Sequence, residues 1–186
     1  MIVSITGHTK GLGNHIFKSL SENHNVIGLS TSNGYDIKDT DTIIDSIKDS
    51  EVFINNAYFK DCQSILFERL FNIWKDTNKL IININSSIVN ENIIDDNLIE
   101  YHSYKSQFKK IVNDTISNYP NKKVRIMNIY PSTLESNYFY SGLSKIDNNY
   151  IASLINWVIG QKDNVEMRDV VIYPAQIHNT QLNNII

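Results

Sequence analysis

The stretch Ile2-Val3-Ser4-Ile5-Thr6-Gly7-His8-Thr9-Lys10-Gly11-Leu12-Gly13 decides the fold. Its first half is a short, apolar, β-branched run of the kind that forms a buried strand. Its second half is Gly-rich and opens a segment, residues 14–23, with Ile16, Phe17 and Leu20 at helical spacing. Gly7 and Gly11 allow a tight turn and a close approach of backbone to ligand, with no Cβ in the way. Gly13 lets the following helix pack close. Free N–H groups at such a helix start, together with the helix dipole, favour an anion. Thr9 adds a hydroxyl donor and Lys10 a positive charge. Gly7, Thr9, Lys10, Gly11, Leu12 and Gly13 are therefore candidates to cradle a pyrophosphate. A plain strand-to-helix turn has the same composition; the strand before it and the helix after it favour the dinucleotide.

Working outward, the pattern alternates. Residues 25–30 read as a second strand, 35–37 as a brief extended piece, 51–55 and 80–85 as strands, 124–130 as a strand ended by Pro131, and 170–173 as a last strand. Between them, 41–50, 62–76, 98–118 and 151–160 carry apolar residues at helical spacing. Strands alternating with helices predict parallel pairing through right-handed crossovers. The expected fold is α/β: a Rossmann-type, doubly wound parallel sheet of about seven strands, in one domain over residues 1–186. No repeat, low-complexity tract or linker divides the chain.

Composition narrows the partners. At 186 residues and 41 % hydrophobic, the chain can bury a sizeable core. A formal net charge of −3 gives no electrostatic reason to expect nucleic acid or an anionic membrane. The single Cys62 cannot form an internal disulfide, which fits a reducing compartment. No basic, apolar leader or membrane anchor is visible at the start, so the expectation is a cytoplasmic protein. His8 and His102 have no partners at metal-ligand spacing, and no metal is expected.

Two further groups carry chemistry. In such a sheet, ligands lie beyond the carboxyl ends of the strands. The end of the second strand offers Ser30 and Thr31 rather than the carboxylate that would bind an NAD ribose and repel a 2′-phosphate. With Lys10 nearby, this tilts the cofactor towards NADP(H), with NAD(H) still possible. Asp36, placed on the extended piece, either accepts from the adenine amino group or begins the next helix. Tyr101 and Lys105 share a helix face at i, i+4. A neighbouring ammonium stabilises phenolate, so the Tyr can trade a proton with a carbonyl or an alcohol. Lys105 is also placed to hold a ribose. Polarising a carbonyl needs a donor, and the strand over 80–85 ends in Ser86-Ser87. Only one of the pair can face the crevice, and Ser87 is the favoured one.

At these positions the chain resembles the short-chain dehydrogenase/reductase family, in its classical branch. Residues 6–13 look like that branch's cofactor turn, with a basic residue at Lys10 typical of its NADP-preferring members. Asp36-Ile37 resembles the adenine-contacting pair. Asn55-Asn56-Ala57 looks like the motif that stabilises the sheet and lies against adenosine. Residues 83–87 resemble the strand that delivers the catalytic Ser, and Tyr101 with Lys105 matches the catalytic Tyr-x-x-x-Lys. Pro131, followed by Ser136, is similar to the segment that holds the nicotinamide carboxamide. The resemblance implies a small carbonyl or alcohol as substrate, Ser87, Tyr101 and Lys105 as catalytic residues, and a homodimer or homotetramer.

The chain also departs from the family. It is shorter, Tyr58 and Ser132 replace glycines, and the family's catalytic Asn has no match in residues 59–63. The rival reading is a dinucleotide-binding or scaffold protein without catalysis. Phe67, Phe71 and Trp74 suit either a subunit surface or a core. Tyr138, Phe139 and Tyr140 suit a substrate wall, an interface or a core.

Overall fold

A computed structural model describes residues 1–92, 95–136 and 144–175. The expected segment of Tyr138, Phe139 and Tyr140 lies outside the described residues. Six strands form one sheet: β1 (Ile2–Thr6), β2 (Asn25–Leu29), β3 (Val52–Asn55), β4 (Leu80–Ile84), β5 (Arg125–Pro131) and β6 (Asp169–Ile172). Their order is β2-β1-β3-β4-β5-β6, and every pairing is parallel. The helices are α1 (Gly11–Ser21), α2 (Thr40–Ile47), α3 (Cys62–Trp74), α4 (Asp96–Asn118) and α5 (Asn148–Ile159).

The strands alternate because both faces are covered. Val3, Ile5, Val52, Ile54, Ile82 and Met127 point to one face, under α1 and α5. Phe53, Ile81 and Ile126 point to the other, under α2, α3 and α4. Phe67, Phe71 and Trp74 are 0–2 % exposed in that second core. They are therefore core residues and not a subunit surface.

The expected seventh strand is absent among the described residues. It rested on 35–37, which form no strand. Thr31–Asn33 instead make one 3-10 turn, and Gly34 follows at φ 91. Asn33 closes back on the strand end: its amide donates to Gly28 O at 2.8 Å and its Oδ1 accepts from Ser30 N at 2.9 Å. Side-chain bonding of this kind competes with the sheet ladder, so β2 remains the edge. Asp36 accordingly sits on a loop rather than a strand. It does not begin the next helix either, since Asp39 caps α2 by accepting from Thr42 N at 3.1 Å.

On the α3/α4 face, Asn55, Asn83, Asn128 and Asp169 stand at one register level across four strands. Asn55 donates to Asn83 (3.4 Å), Asn83 to Asn128 (3.0 Å) and Asn128 to Asp169 (3.0 Å). The three Asn side chains are buried. Chained amides of this kind pin the register of parallel strands, although the buried Asn55 Oδ1 at the end of the ladder has no partner among the described residues.

Candidate functional site

The sheet order reverses at β1, with β2 on one side and β3 on the other, and the glycine turn lies at this point. Gly7 (φ 70) and Gly11 (φ 52) adopt the left-handed backbone that glycine tolerates. A Cβ on Gly13 would come within 2.1 Å of Gly7 O, so α1 packs against the turn as closely as the sequence implies. The turn is tied to β3. Asn56 Nδ2 donates to Thr6 O at 3.0 Å, and Thr6 Oγ1 accepts from the N–H groups of Asn56 and Ala57, each at 3.0 Å. No side chain caps the start of α1. Its first-turn N–H groups are therefore left without a side-chain acceptor, and the residues fit a pyrophosphate.

A cavity of about 470 Å³ opens beside the turn, lined by Gly7, Thr9, Lys10, Ser30, Thr31, Asp36, Ile37, Asn56 and Ala57. Ser30 is the least available of them. Its Oγ already meets Ser32 Oγ at 2.8 Å and Asn33 Oδ1 at 3.1 Å. Lys38, which the sequence reading did not single out, lines the same cavity. Its Nζ lies 4.3 Å from the Phe59 ring centre and 4.0 Å from Asp36 Oδ2.

A second crevice, of about 610 Å³, is lined by Leu12, Asn56, Ser87, Tyr101, Lys105, Pro131 and Ser136, so seven of the expected residues meet there. Gly11 and Gly13 line neither cavity. Gly11 faces Ser136, whose Oγ lies 3.4 Å from the place a Gly11 Cβ would take. The two serines after β4 divide their roles. Ser86 Oγ accepts from Ile88 N at 3.3 Å and starts a 3-10 turn. Ser87 Oγ donates to Glu91 Oε1 at 2.9 Å.

Lys105 is 3 % exposed. Its Nζ donates to Gln63 Oε1 at 2.7 Å and to Ile84 O at 3.1 Å. Burial pushes its pKa down from 10.5 to about 7, because the charged form is taken out of water. The Nζ lies 5.7 Å from the Tyr101 ring centre and 5.1 Å from that of Tyr58.

No family model matches the chain, and none of the curated proteins matches it. Solved structures do. One is a short-chain dehydrogenase/reductase from Vibrio parahaemolyticus, 14 % identical, with a TM-score of 0.75 over 92 % of this chain and 99 % of that one. A second is an alcohol dehydrogenase from the archaeon Thermococcus sibiricus, complexed with 5-hydroxy-NADP, 15 % identical, TM-score 0.72, covering 94 % and 96 %. A third is a 3-ketoacyl-(acyl-carrier-protein) reductase from Brucella melitensis, complexed with NADH, 13 % identical, TM-score 0.75, covering 94 % and 97 %.

The chain has the short-chain dehydrogenase/reductase fold. Within that fold its departures acquire positions. Gln63 accepts from Lys105, and it lies in residues 59–63, the segment that corresponds to the family's catalytic Asn. Besides accepting from Lys105, it donates through Nε2 to Asn55 O at 2.7 Å and to Ile84 O at 2.9 Å. It is 1 % exposed. The sequence held a signal for it: Gln63 falls on the same helical stripe as Leu66, Leu70 and Trp74, and a polar side chain on a buried stripe needs partners. Tyr58, where the family has glycine, meets Tyr101 edge to face at 4.9 Å and lines both cavities. Its phenol is pushed up, first by burial and then by Glu100 and Tyr104. Among the described residues no helix is long and apolar enough to cross a membrane.

Proposed function

We propose that the protein is an oxidoreductase that interconverts a small carbonyl compound and an alcohol, using a nicotinamide dinucleotide with NADP(H) favoured. The observation that carries this reading is the meeting of Ser87, Tyr101 and Lys105 in one crevice with Leu12 of the glycine turn. The similar solved structures that hold 5-hydroxy-NADP or NADH support it.

The bound nicotinamide supplies or accepts the hydride. The chain's own residues do the rest. The first-turn N–H groups of α1 and Lys10 hold the pyrophosphate, and Asn56 and Ala57 fix the floor beneath the adenosine. Thr31, Lys10 and Lys38 face the adenosine cavity, and their charge and hydroxyl favour a 2′-phosphate. Asp36 and Ile37 border the adenine, and Pro131 and Ser136 border the carboxamide.

During reduction Tyr101 gives its phenolic proton to the carbonyl oxygen, and during oxidation it takes the proton back from the alcohol. Lys105, in its ammonium form, stabilises the phenolate and reaches the ribose. Ser87 orients the reacting oxygen. The Tyr101→Phe variant tests this assignment. Turnover should fall by about 10²- to 10⁴-fold, while nicotinamide fluorescence reports cofactor affinity within a few-fold of wild type. Full turnover in that variant would remove Tyr101 from the mechanism.

The rival reading, a dinucleotide-binding protein without catalysis, is favoured by one observation. Tyr58 stands over Tyr101 and Lys105, where the family has no side chain. Cofactor binding without turnover on any carbonyl of a broad panel would establish that rival.

A further inference from the structure

Glu91 lines the crevice that holds Tyr101 and Lys105, at the end of the short turn that begins with Ser87. Its carboxylate accepts a hydrogen bond from Ser87 Oγ at 2.9 Å. It belongs to none of the salt bridges among the described residues. Lys105 is the only other Asp, Glu, Lys or Arg on the described walls of this crevice, and its Nζ is turned towards Gln63 and Ile84 O. Burial also disfavours the charged form of Lys105, whose pKa falls to about 7. Glu91, itself exposed, therefore places a negative charge on the crevice wall beside Ser87. A carboxylate in that position attracts a cation and repels a second carboxylate.

Distances limit where the cation lies. A reacting oxygen within ~2.8 Å of Ser87 Oγ places a second group on Glu91 only about one hydroxyl further out. An amino group one or two carbons from the reacting carbon spans that gap. We propose that Glu91 makes this crevice selective for amino alcohols and amino ketones, binding their ammonium beside the reacting carbon.

Recognition is coupled to the Ser87 hydroxyl. That hydroxyl has a single proton, and Glu91 holds it. An ammonium on Glu91 offsets the carboxylate's charge and weakens its hold on that proton. The proton is then available to a carbonyl oxygen, so an amino ketone recruits the donor that a neutral ketone leaves engaged. The lining also includes the aliphatic side chains of Ile88, Leu98 and Leu134, which suit a carbon skeleton.

The kinetic arm of the test rests on the oxidoreductase reading, and the binding arm does not. Three compounds of one skeleton serve as probes: 1-amino-2-propanol, butan-2-ol and lactate. Each is offered to protein saturated with NADP⁺, as wild type and as Glu91→Gln. NADPH formation gives kcat/KM, and calorimetry gives Kd whether or not turnover occurs. The amino alcohol should be favoured over butan-2-ol by about tenfold, the size of one charge-assisted hydrogen bond. Lactate should rank last, and Glu91→Gln should erase most of both differences. Turnover without a preference that depends on Glu91 overturns the proposal and leaves the oxidoreductase reading intact. A Glu91-dependent preference in Kd without any turnover upholds the ammonium site and counts against that reading, which the broad carbonyl panel then decides. No preference in Kd and no turnover overturns the proposal and leaves that reading to the same panel.

Discussion

At the scale of single residues, Lys105 shows what burial does to a charged side chain. Its ammonium is bonded to Gln63 and Ile84 O, and its pKa falls from 10.5 to about 7. The unfolded chain keeps a lysine that titrates near ~10.4. Between those values the unfolded state binds more protons than the folded one, so stability rises with pH across that window. The slope from this one group approaches 1.4 kcal/mol for each step of one in pH, at order-of-magnitude precision. Urea denaturation of the cofactor-free protein should therefore show wild type gaining on Lys105→Met from pH 7 to pH 10, with no such gain below pH 7. A flat difference across the window would contradict the buried, depressed lysine. The helical spacing of Tyr101 and Lys105 identifies the pair from sequence. Gln63 does not stand out in the same way, because its partners are on β3, β4 and α4, far along the chain.

At the scale of elements, the alternation of strand and helix is legible because periods of 2 and 3.6 are written locally. The ends of elements are less so. Residues 35–37 look extended yet find no strand to pair with, because Asn33 and Gly34 turn the chain back at the end of β2. The Asn55–Asn83–Asn128–Asp169 ladder depends on register, which no single strand specifies alone. Its middle member can be removed. Asn83→Leu leaves buried amides on Asn55 and Asn128 short of a partner, and should cost roughly 1–3 kcal/mol. Chemical denaturation measures that loss; a change below about 0.5 kcal/mol, the usual range for surface substitutions, would mean that the ladder adds little to the pairing of β3, β4 and β5.

At the scale of the whole molecule, a dinucleotide bridging the two cavities would touch β1, β2, β3, β4, α4 and β5 together, and would bind only the folded chain. At 100 times its Kd it should add about 2.7 kcal/mol, a rise in Tm of roughly 5–10 °C for a chain of this size. NADPH should give a larger rise than NADH at equal concentration, and Lys10→Glu should remove that difference. Equal shifts in wild type would take the 2′-phosphate preference away from Lys10. The sequence by itself determined the parallel α/β sheet and the glycine turn, and it set Tyr101 and Lys105 on one helix face, since all of these follow from spacing within a few residues. Only the tertiary structure decided that Gln63 holds Lys105, that Tyr58 lies over Tyr101, that Phe67, Phe71 and Trp74 are core, and that Glu91 accepts a hydrogen bond from the Ser87 hydroxyl. The physical reason is that the sheet order brings carboxyl ends of distant strands together, so what surrounds each reactive group is set by elements packed across the fold rather than by neighbours along the chain.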